Sequence, residues 1–476
     1  MISIKELIII KSKIINQLKK IIPIIIVIPF ILGTIGYLFA EEKITDSLYD
    51  SIVLYWFSPT SDAYNIWIEI ARWTAPLVTA TAIFYAIQNI WNKLCWLIKS
   101  FSKDSVAIYS NTDTKIRFES DNHSVIYPGT TLIKRAKSHI IMFDSDEENI
   151  HFYENNKKKI KDKSVYISIK EIDYALMKDT NNLKNVYFFD IDGAISRNLW
   201  KQISIWNSGV YNLSQMITIW GTGHLGQDIL NYGLLMNLYS LKQKITYNFI
   251  GDNNLYKIAH GNIETCNCDC INYFNINDDS LWEVIRQSNI VIISEGVSVD
   301  ILQTMGIVCK NGQVYYYSPK EGCIDEYLKL SNIKPFGRNK DIYTDDNIRG
   351  NKLIKDAMQQ NFEYVKKYGN GEYSDEESEW KKLDGFLKWS NISSSDFKFV
   401  LNELGKLGKD IEELSELEHI RWCRFHYLNY WTYGIPENGK NSDRIKKIHK
   451  CLCNYSNINE TDKEKNREVV KEALKL

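Results

Sequence analysis

Met216-Ile217-Thr218-Ile219-Trp220-Gly221-Thr222-Gly223-His224-Leu225-Gly226 is the stretch on which the fold turns. An apolar, β-branched run enters G-x-G-x-x-G, helical character follows over 227–241, and a second strand-like run, 245–250, ends on Gly251-Asp252. Strand, glycine loop, helix, strand and terminal acid in that order form the fingerprint of a dinucleotide-binding βαβ unit, and the context is what makes the glycines informative. Gly221 is expected to make the tight turn, Gly223 to let the backbone approach a pyrophosphate at the helix N-terminus, and Gly226 to let helix pack on strand. Asp252 stands 31 residues after Gly221, later than the usual spacing, and suits a ribose-hydroxyl acceptor at the strand tip.

The α/β rhythm extends on both sides. Downstream, 289–294 (NIVIIS) reads as a further strand. Upstream, 105–110, 139–143, 165–169 and 186–189 read as buried parallel strands separated by polar helical stretches. After the first of these stands Asn111-Thr112-Asp113-Thr114 where glycines would be needed, so a phosphate has no close backbone approach there. From Thr344 onward the pattern is helical, and Trp380, Phe386 and Trp389 read as core. The expected organisation is a membrane region (1–103), a degenerate first nucleotide-type unit (104–212), a second unit with the glycine loop (213–330), a helical linker (331–410) and a C-terminal module (411–476).

The N-terminal region is read from charge. Residues 21–40 carry no charge for 20 positions, enough for a helix of about 30 Å, the thickness of the hydrocarbon layer. Residues 73–92 form a second uncharged run of 20, bracketed by Arg72 and Lys93. Lys5, Lys11, Lys13, Lys19 and Lys20 precede the first run, Lys93, Lys99 and Lys103 follow the second, and the loop between is acidic. The positive-inside rule then puts both termini in the cytoplasm of a cell whose inner membrane the chain crosses twice. A cleaved signal peptide is disfavoured by the length of the first run and by the second span. Thr74, Thr79, Thr81, Gln88 and Asn92 are costly against lipid, and Ala75, Ala80, Ala82 and Ala86 allow close helix approach. Two spans enclose nothing, so a pore requires a homo-oligomer, with a tetramer favoured. Residues 48–57 read either as a re-entrant pore helix or as an interfacial helix rich in Tyr and Trp, and they lack a potassium-filter-like run.

Composition narrows the function. A net charge of −1 with 25% charged residues gives no polyanion footprint, so nucleic acid is not an expected partner. Nine scattered cysteines fit a reducing compartment. Cys266-Asn267-Cys268-Asp269-Cys270 lacks the paired spacing of structural zinc and reads as a loop entering a strand, so no metal is expected. An oxidoreductase would need an acid/base beside the nicotinamide, and only His224 and His260 are at hand, so no catalytic residues are assigned.

Two resemblances add to this reading. The tandem α/β units behind a membrane segment resemble the RCK (TrkA-N type) domains that regulate potassium channels and transporters. Ala136-Lys137-Ser138-His139-Ile140-Ile141-Met142-Phe143-Asp144, with Asp146 and Asn149, is similar to that family's fourth strand and following loop. Ser415-Glu416-Leu417-Glu418-His419-Ile420-Arg421-Trp422, then Trp431-Thr432-Tyr433-Gly434, Lys447-Ile448-His449 and Asp462-Lys463-Glu464-Lys465-Asn466-Arg467, resembles the all-α RyR domain of ryanodine receptors, departing at Asn466. The second resemblance implies a sensor of adenine nucleotides or nucleotide-derived messengers, and together they imply a ligand-gated membrane effector of the kind used in bacterial antiviral defence. The ligand classes it implies are NAD, ADP-ribose, ATP or a cyclic nucleotide. An alternative is a potassium channel or transport regulator binding NAD or ATP at the glycine loop.

Within the C-terminal module, Glu418 and Arg421 lie one helical turn apart and can pair. Trp422, Trp431 and Tyr433 are expected to offer a stacking face for a purine, and Arg421 and Arg467 to meet phosphate or carboxylate. The same residue types also serve simply to hold a helix hairpin together.

Overall fold

A computed structural model describes residues 27–475 except 57, 59–60, 112–114, 119–123, 171–184, 210–211, 261–262, 264, 321–327, 329, 370, 372 and 438. The chain divides into two compact units, Met1–Lys99 and Ser100–Leu476.

In the first unit, α1 (Val27–Phe39) is followed by α2 (Ile44–Val53) and α3 (Ile66–Ser100). Residues 21–26 of the expected first span, and the lysines before it, lie outside the described residues. Among those described, α3 alone is long and apolar enough to cross a membrane. It contains the expected second span and exposes Trp73, Leu77, Phe84, Ile90 and Trp91. The threonines that looked costly against lipid satisfy themselves: the Thr74, Thr79 and Thr81 hydroxyls donate to the carbonyls of Ile70, Ala75 and Leu77, one turn back, at 2.6, 3.3 and 2.7 Å. The close approach uses Gly36, where a Cβ would lie 2.7 Å from the Ile68 side chain. Asn65 starts α3, its Oδ1 accepting from the Trp67 and Ile68 amides, while its Nδ2 donates to the Gly36 carbonyl at 2.7 Å. Of the segment read as pore or interfacial helix, 48–53 lie in α2 and 54–56 form a 3₁₀ turn, with Asp50, Ser51 and Leu54 buried, and residue 57 lies outside the described residues.

The second unit opens with β1 (Val106–Tyr109), β2 (Val125–Ile126), β3 (Ser138–Ile141), α4 (Asp146–Asn156), β4 (Ser164–Ser168) and β5 (Val186–Phe189). These strands form an all-parallel sheet in the order β2-β1-β3-β4-β5. The chain continues through α5 (Ile191–Ile203), α6 (Ile205–Gly209), β6 (Ser214–Trp220), α7 (His224–Met236), β7 (Lys244–Ile250), α8 (Asn254–His260), β8 (Cys270–Phe274), α9 (Leu281–Gln287), β9 (Ile290–Ile293), α10 (Val299–Val308), β10 (Gln313–Tyr317) and β11 (Ile333–Phe336). Here the order is β8-β7-β6-β9-β10-β11, again all parallel. This is the doubly wound dinucleotide-fold arrangement, with β6 and β9 flanking the switch point. β1 and β9 are buried along their whole length, as strands covered on both faces must be. β11 carries this sheet past residue 330, where the helical linker was expected to begin. α7 stops at Met236 rather than near 241, because Gln243 Oε1 accepts from the Tyr239 and Ser240 amides at 2.7 and 3.1 Å and folds the chain into a buried turn.

α11 (Asn339–Ile342), α12 (Asp345–Arg349), α13 (Asn351–Tyr368), α14 (Glu376–Lys382), α15 (Gly385–Lys406), α16 (Ile411–Leu428) and α17 (Glu460–Leu474) complete the chain, with a three-stranded sheet of two-residue strands, β12 to β14, at 432–433, 442–443 and 448–449. Asp384, Asp410 and Asn459 cap α15, α16 and α17 through side-chain oxygens. One apolar core runs from Ile140 in the first sheet through Trp200, Ile217 and Tyr247 to Leu401 and Leu417 in the helices. α5 and α7 meet where Trp200 Nε1 donates to the Ile229 carbonyl at 2.9 Å, and a Cβ on Gly233 would lie 2.8 Å from the Trp200 ring.

The helices are tied to the second sheet by a fully buried ion pair. Arg424 donates to the carbonyls of Thr265 (2.7 Å) and Leu234 (2.8 Å), to Asn267 Oδ1 (2.8 Å) and to Asp269 Oδ2 (2.7 Å). Removing one member of such a pair strands the other. Arg424→Met is therefore expected to cost about 3–5 kcal/mol of unfolding free energy, measured by urea titration of the detergent-solubilised chain. Arg424→Met with Asp269→Asn is expected to recover most of that loss.

Candidate functional site

Two candidate sites emerge, and the first is the glycine loop at the C-terminal end of β6. Gly221 sits at φ +107°, and a Cβ there would lie 2.4 Å from Ser294 Oγ. A Cβ on Gly226 would lie 2.0 Å from the Gly221 carbonyl oxygen. Both positions therefore demand glycine. Gly223 precedes α7 with its N–H pointing outward, the geometry that holds an anion at a helix N-terminus. That N–H donates at 2.8 Å to Oε1 of Glu295, the exposed residue just beyond β9. The chain thus supplies its own carboxylate to the anion position. Asp252 is exposed at the tip of β7. Beside it, Gly251 abuts the loop, since its Cβ would lie 2.7 Å from the Thr222 side chain. Gly221, Gly223, Gly226 and Asp252 are therefore gathered at one end of the sheet, with Glu295 as a member that the glycine pattern could not reveal.

The second site lies among the C-terminal helices. α16 is buried almost throughout from Leu414 to Leu428. Glu418 and Arg421, one turn apart, form a bidentate pair with both contacts at 2.7 Å. Ser393 Oγ accepts from Arg421 Nη1 at 2.9 Å, and Ser394 Oγ donates to Glu418 Oε1 at 3.2 Å. This pair and the half-buried Trp422 line a cavity of about 550 Å³ with His449, Asp462 and Lys465. The opposite wall comes from α13 and α15, including Gln360, Asn361 and Ser394.

The imidazoles around this cavity are held neutral. Burial pushes His449 down to about 4 and His426 to about 3, and lowers His419. His419 Nε2 donates to the Cys453 carbonyl and His426 Nδ1 to the Trp422 carbonyl, both at 2.8 Å. Trp422 packs against His426, with ring centroids 4.0 Å apart, and meets His449 edge-on at 4.9 Å.

Three expected ligand residues do not join Glu418, Arg421 and Trp422 in the cavity wall. Trp431 is buried and stacked on Phe386 at 5.2 Å, packing the helix hairpin. Tyr433 is 56% exposed on β12. Arg467 is engaged by Glu412, Glu460 and Glu464. Asn361, His449, Asp462 and Lys465 are among the cavity residues that the sequence did not mark as ligand residues; His449, Asp462 and Lys465 stood within the quoted motifs, whereas Asn361 carried no local signal.

Residues 402–476 match the RyR domain family model. No curated protein matches the chain. Among solved structures, GsuK bound to ADP aligns at 11% identity and a TM-score of 0.31, covering 71% of this chain and 98% of that one. The GsuK channel aligns at 11% identity and a TM-score of 0.32, covering 71% and 97%. A D-isomer specific 2-hydroxyacid dehydrogenase family protein from Aeromonas salmonicida subsp. salmonicida A449 aligns at 9% identity and a TM-score of 0.22, covering 56% and 96%.

Because Glu295 occupies the anion position of the glycine loop, Glu295→Ala is expected to strengthen binding of inorganic pyrophosphate there. A charge at a helix N-terminus contributes about 0.3–2 kcal/mol, so the gain is about twofold to thirtyfold in Kd. Calorimetric titration of wild-type and variant chains checks it.

Proposed function

We propose that this chain is a membrane effector gated by a nucleotide or nucleotide-derived messenger, with the C-terminal cavity as the sensor and α3, together with a second span at its N-terminus, as the output. The observation that carries the reading is the cavity of about 550 Å³ between the segment that matches the RyR domain and helices α13 and α15, walled by Trp422 and the buried Glu418–Arg421 pair. A volume in the range of small-molecule sites, an aromatic wall and a few placed polar groups suit a ligand of nucleotide size. The glycine loop is secondary in this reading, since Glu295 already satisfies the Gly223 N–H.

Transmission follows chain connectivity. α3 ends at Ser100 and β1 begins at Val106, so a change in the cytosolic unit reaches the membrane helix through a short tether. A ligand biases the membrane segment only by binding one of its two states more tightly. One copy supplies too few spans to enclose a conduit, so the pore is a homo-oligomer.

Purified chain in dye-loaded liposomes, challenged with NAD, ADP-ribose, ATP and cyclic nucleotides, tests the proposal. At least one nucleotide is expected to release dye. Trp422→Ala is expected to shift the required concentration upward about tenfold or more, the effect of losing a base-stacking surface, while Gly223→Val leaves the response in place. If no nucleotide tried releases ions or dye, the gated-pore reading fails.

A further inference from the structure

Asn361, on α13, lies outside the segment that matches the RyR domain. It is 4% exposed, lines the C-terminal cavity, and its Nδ2 has no hydrogen-bond partner among the described residues. A buried amide donor left unpaired is costly, and such a group in a cavity wall points to an acceptor supplied from outside the protein. A second donor stands in the same wall. His449 Nδ1 accepts from the Cys451 amide at 3.0 Å, which places the ring proton on Nε2, and burial keeps the imidazole neutral.

The charges in the wall point the same way. Its ionic side chains are Glu418, Arg421, Asp462 and Lys465, and they cancel in two pairs, Arg421 with Glu418 at 2.7 Å and Lys465 with Asp462 at 2.8 Å. Among the described residues of the wall, no surplus cation is left for a pyrophosphate. What the wall offers is neutral donors, with Trp422 in the same lining.

We infer that the cavity admits the uncharged, acceptor-rich heterocycle of its ligand, a nucleobase, and that Asn361 and His449 read it while the phosphates remain outside. This rests on the cavity being the nucleotide sensor, and it sets the two candidate sites apart. The glycine loop presents backbone N–H groups to anions, whereas the cavity presents neutral donors to a base.

The test is calorimetric titration of the full-length chain in lipid nanodiscs, with empty nanodiscs as blank, using adenosine, ADP and inorganic pyrophosphate. It is run on wild type and on Gly223→Val, in which the glycine loop no longer admits close approach of a phosphate. Adenosine and ADP are expected to bind Gly223→Val with affinities within a few-fold, and pyrophosphate to compete with neither. Adding Asn361→Leu is expected to weaken adenosine by about tenfold or more without lowering the unfolding temperature, because leucine removes an unpaired buried donor. ADP binding with adenosine silent and pyrophosphate competing would overturn the inference and leave the nucleotide sensor standing. Unchanged adenosine affinity in Asn361→Leu also overturns it. Silence of all three probes removes the sensor reading itself, and the inference with it.

Discussion

The Arg424–Asp269 pair is the constraint on which the rest of the second unit depends. Both side chains are 0% exposed, so neither charge is tolerable unless its partners are complete. They are complete because four separate segments converge. Besides Arg424, Asp269 accepts from Gln243 Nε2 at 2.8 Å, the Ile245 amide at 2.6 Å and Asn267 Nδ2 at 3.1 Å. Arg424 meanwhile reaches the carbonyl of Leu234, in the last turn of α7, where a cation is favoured by the helix dipole. α7 thereby runs from the glycine loop to Arg424 on α16. On α16, the same turn-to-turn spacing sets Arg421, which faces the cavity, three residues before Arg424, which grips the sheet.

The two sites differ in what they offer, and the difference follows from their origin. Backbone amides at the end of a parallel strand make an anion position, and the chain fills it with Glu295. Side chains on packed helices make a cavity whose ionic groups cancel and whose histidines burial holds neutral. The glycine loop therefore suits an anion, and the cavity, in the proposed reading, a neutral ring.

Much of the fold was legible because it rests on local pattern. The glycine loop sat between a strand and a helix as its neighbours required, and the Glu418–Arg421 pair followed from a one-turn spacing on a helix. The site was only half legible. Trp431 and Arg467 have the composition of ligand residues, yet Phe386 and three glutamates claim them, and those partners are set by tertiary packing. Asn361 and Glu295 gave no sign, because an asparagine on an amphipathic helix and a glutamate after a strand become significant only through residues far away in the chain. The hydroxyls of Thr74 and Thr81 add a pairing that composition does not show, each donating to the carbonyl one turn back within α3.

If binding in the cavity works the membrane segment, the route passes through the contact that fixes α16 to the second sheet. The most direct measurement is nucleotide-evoked dye release set against nucleotide binding, in one preparation of the chain carrying Arg424→Met and Asp269→Asn. The account predicts that binding persists while evoked release is lost. Release that follows binding as in the wild-type chain would contradict it.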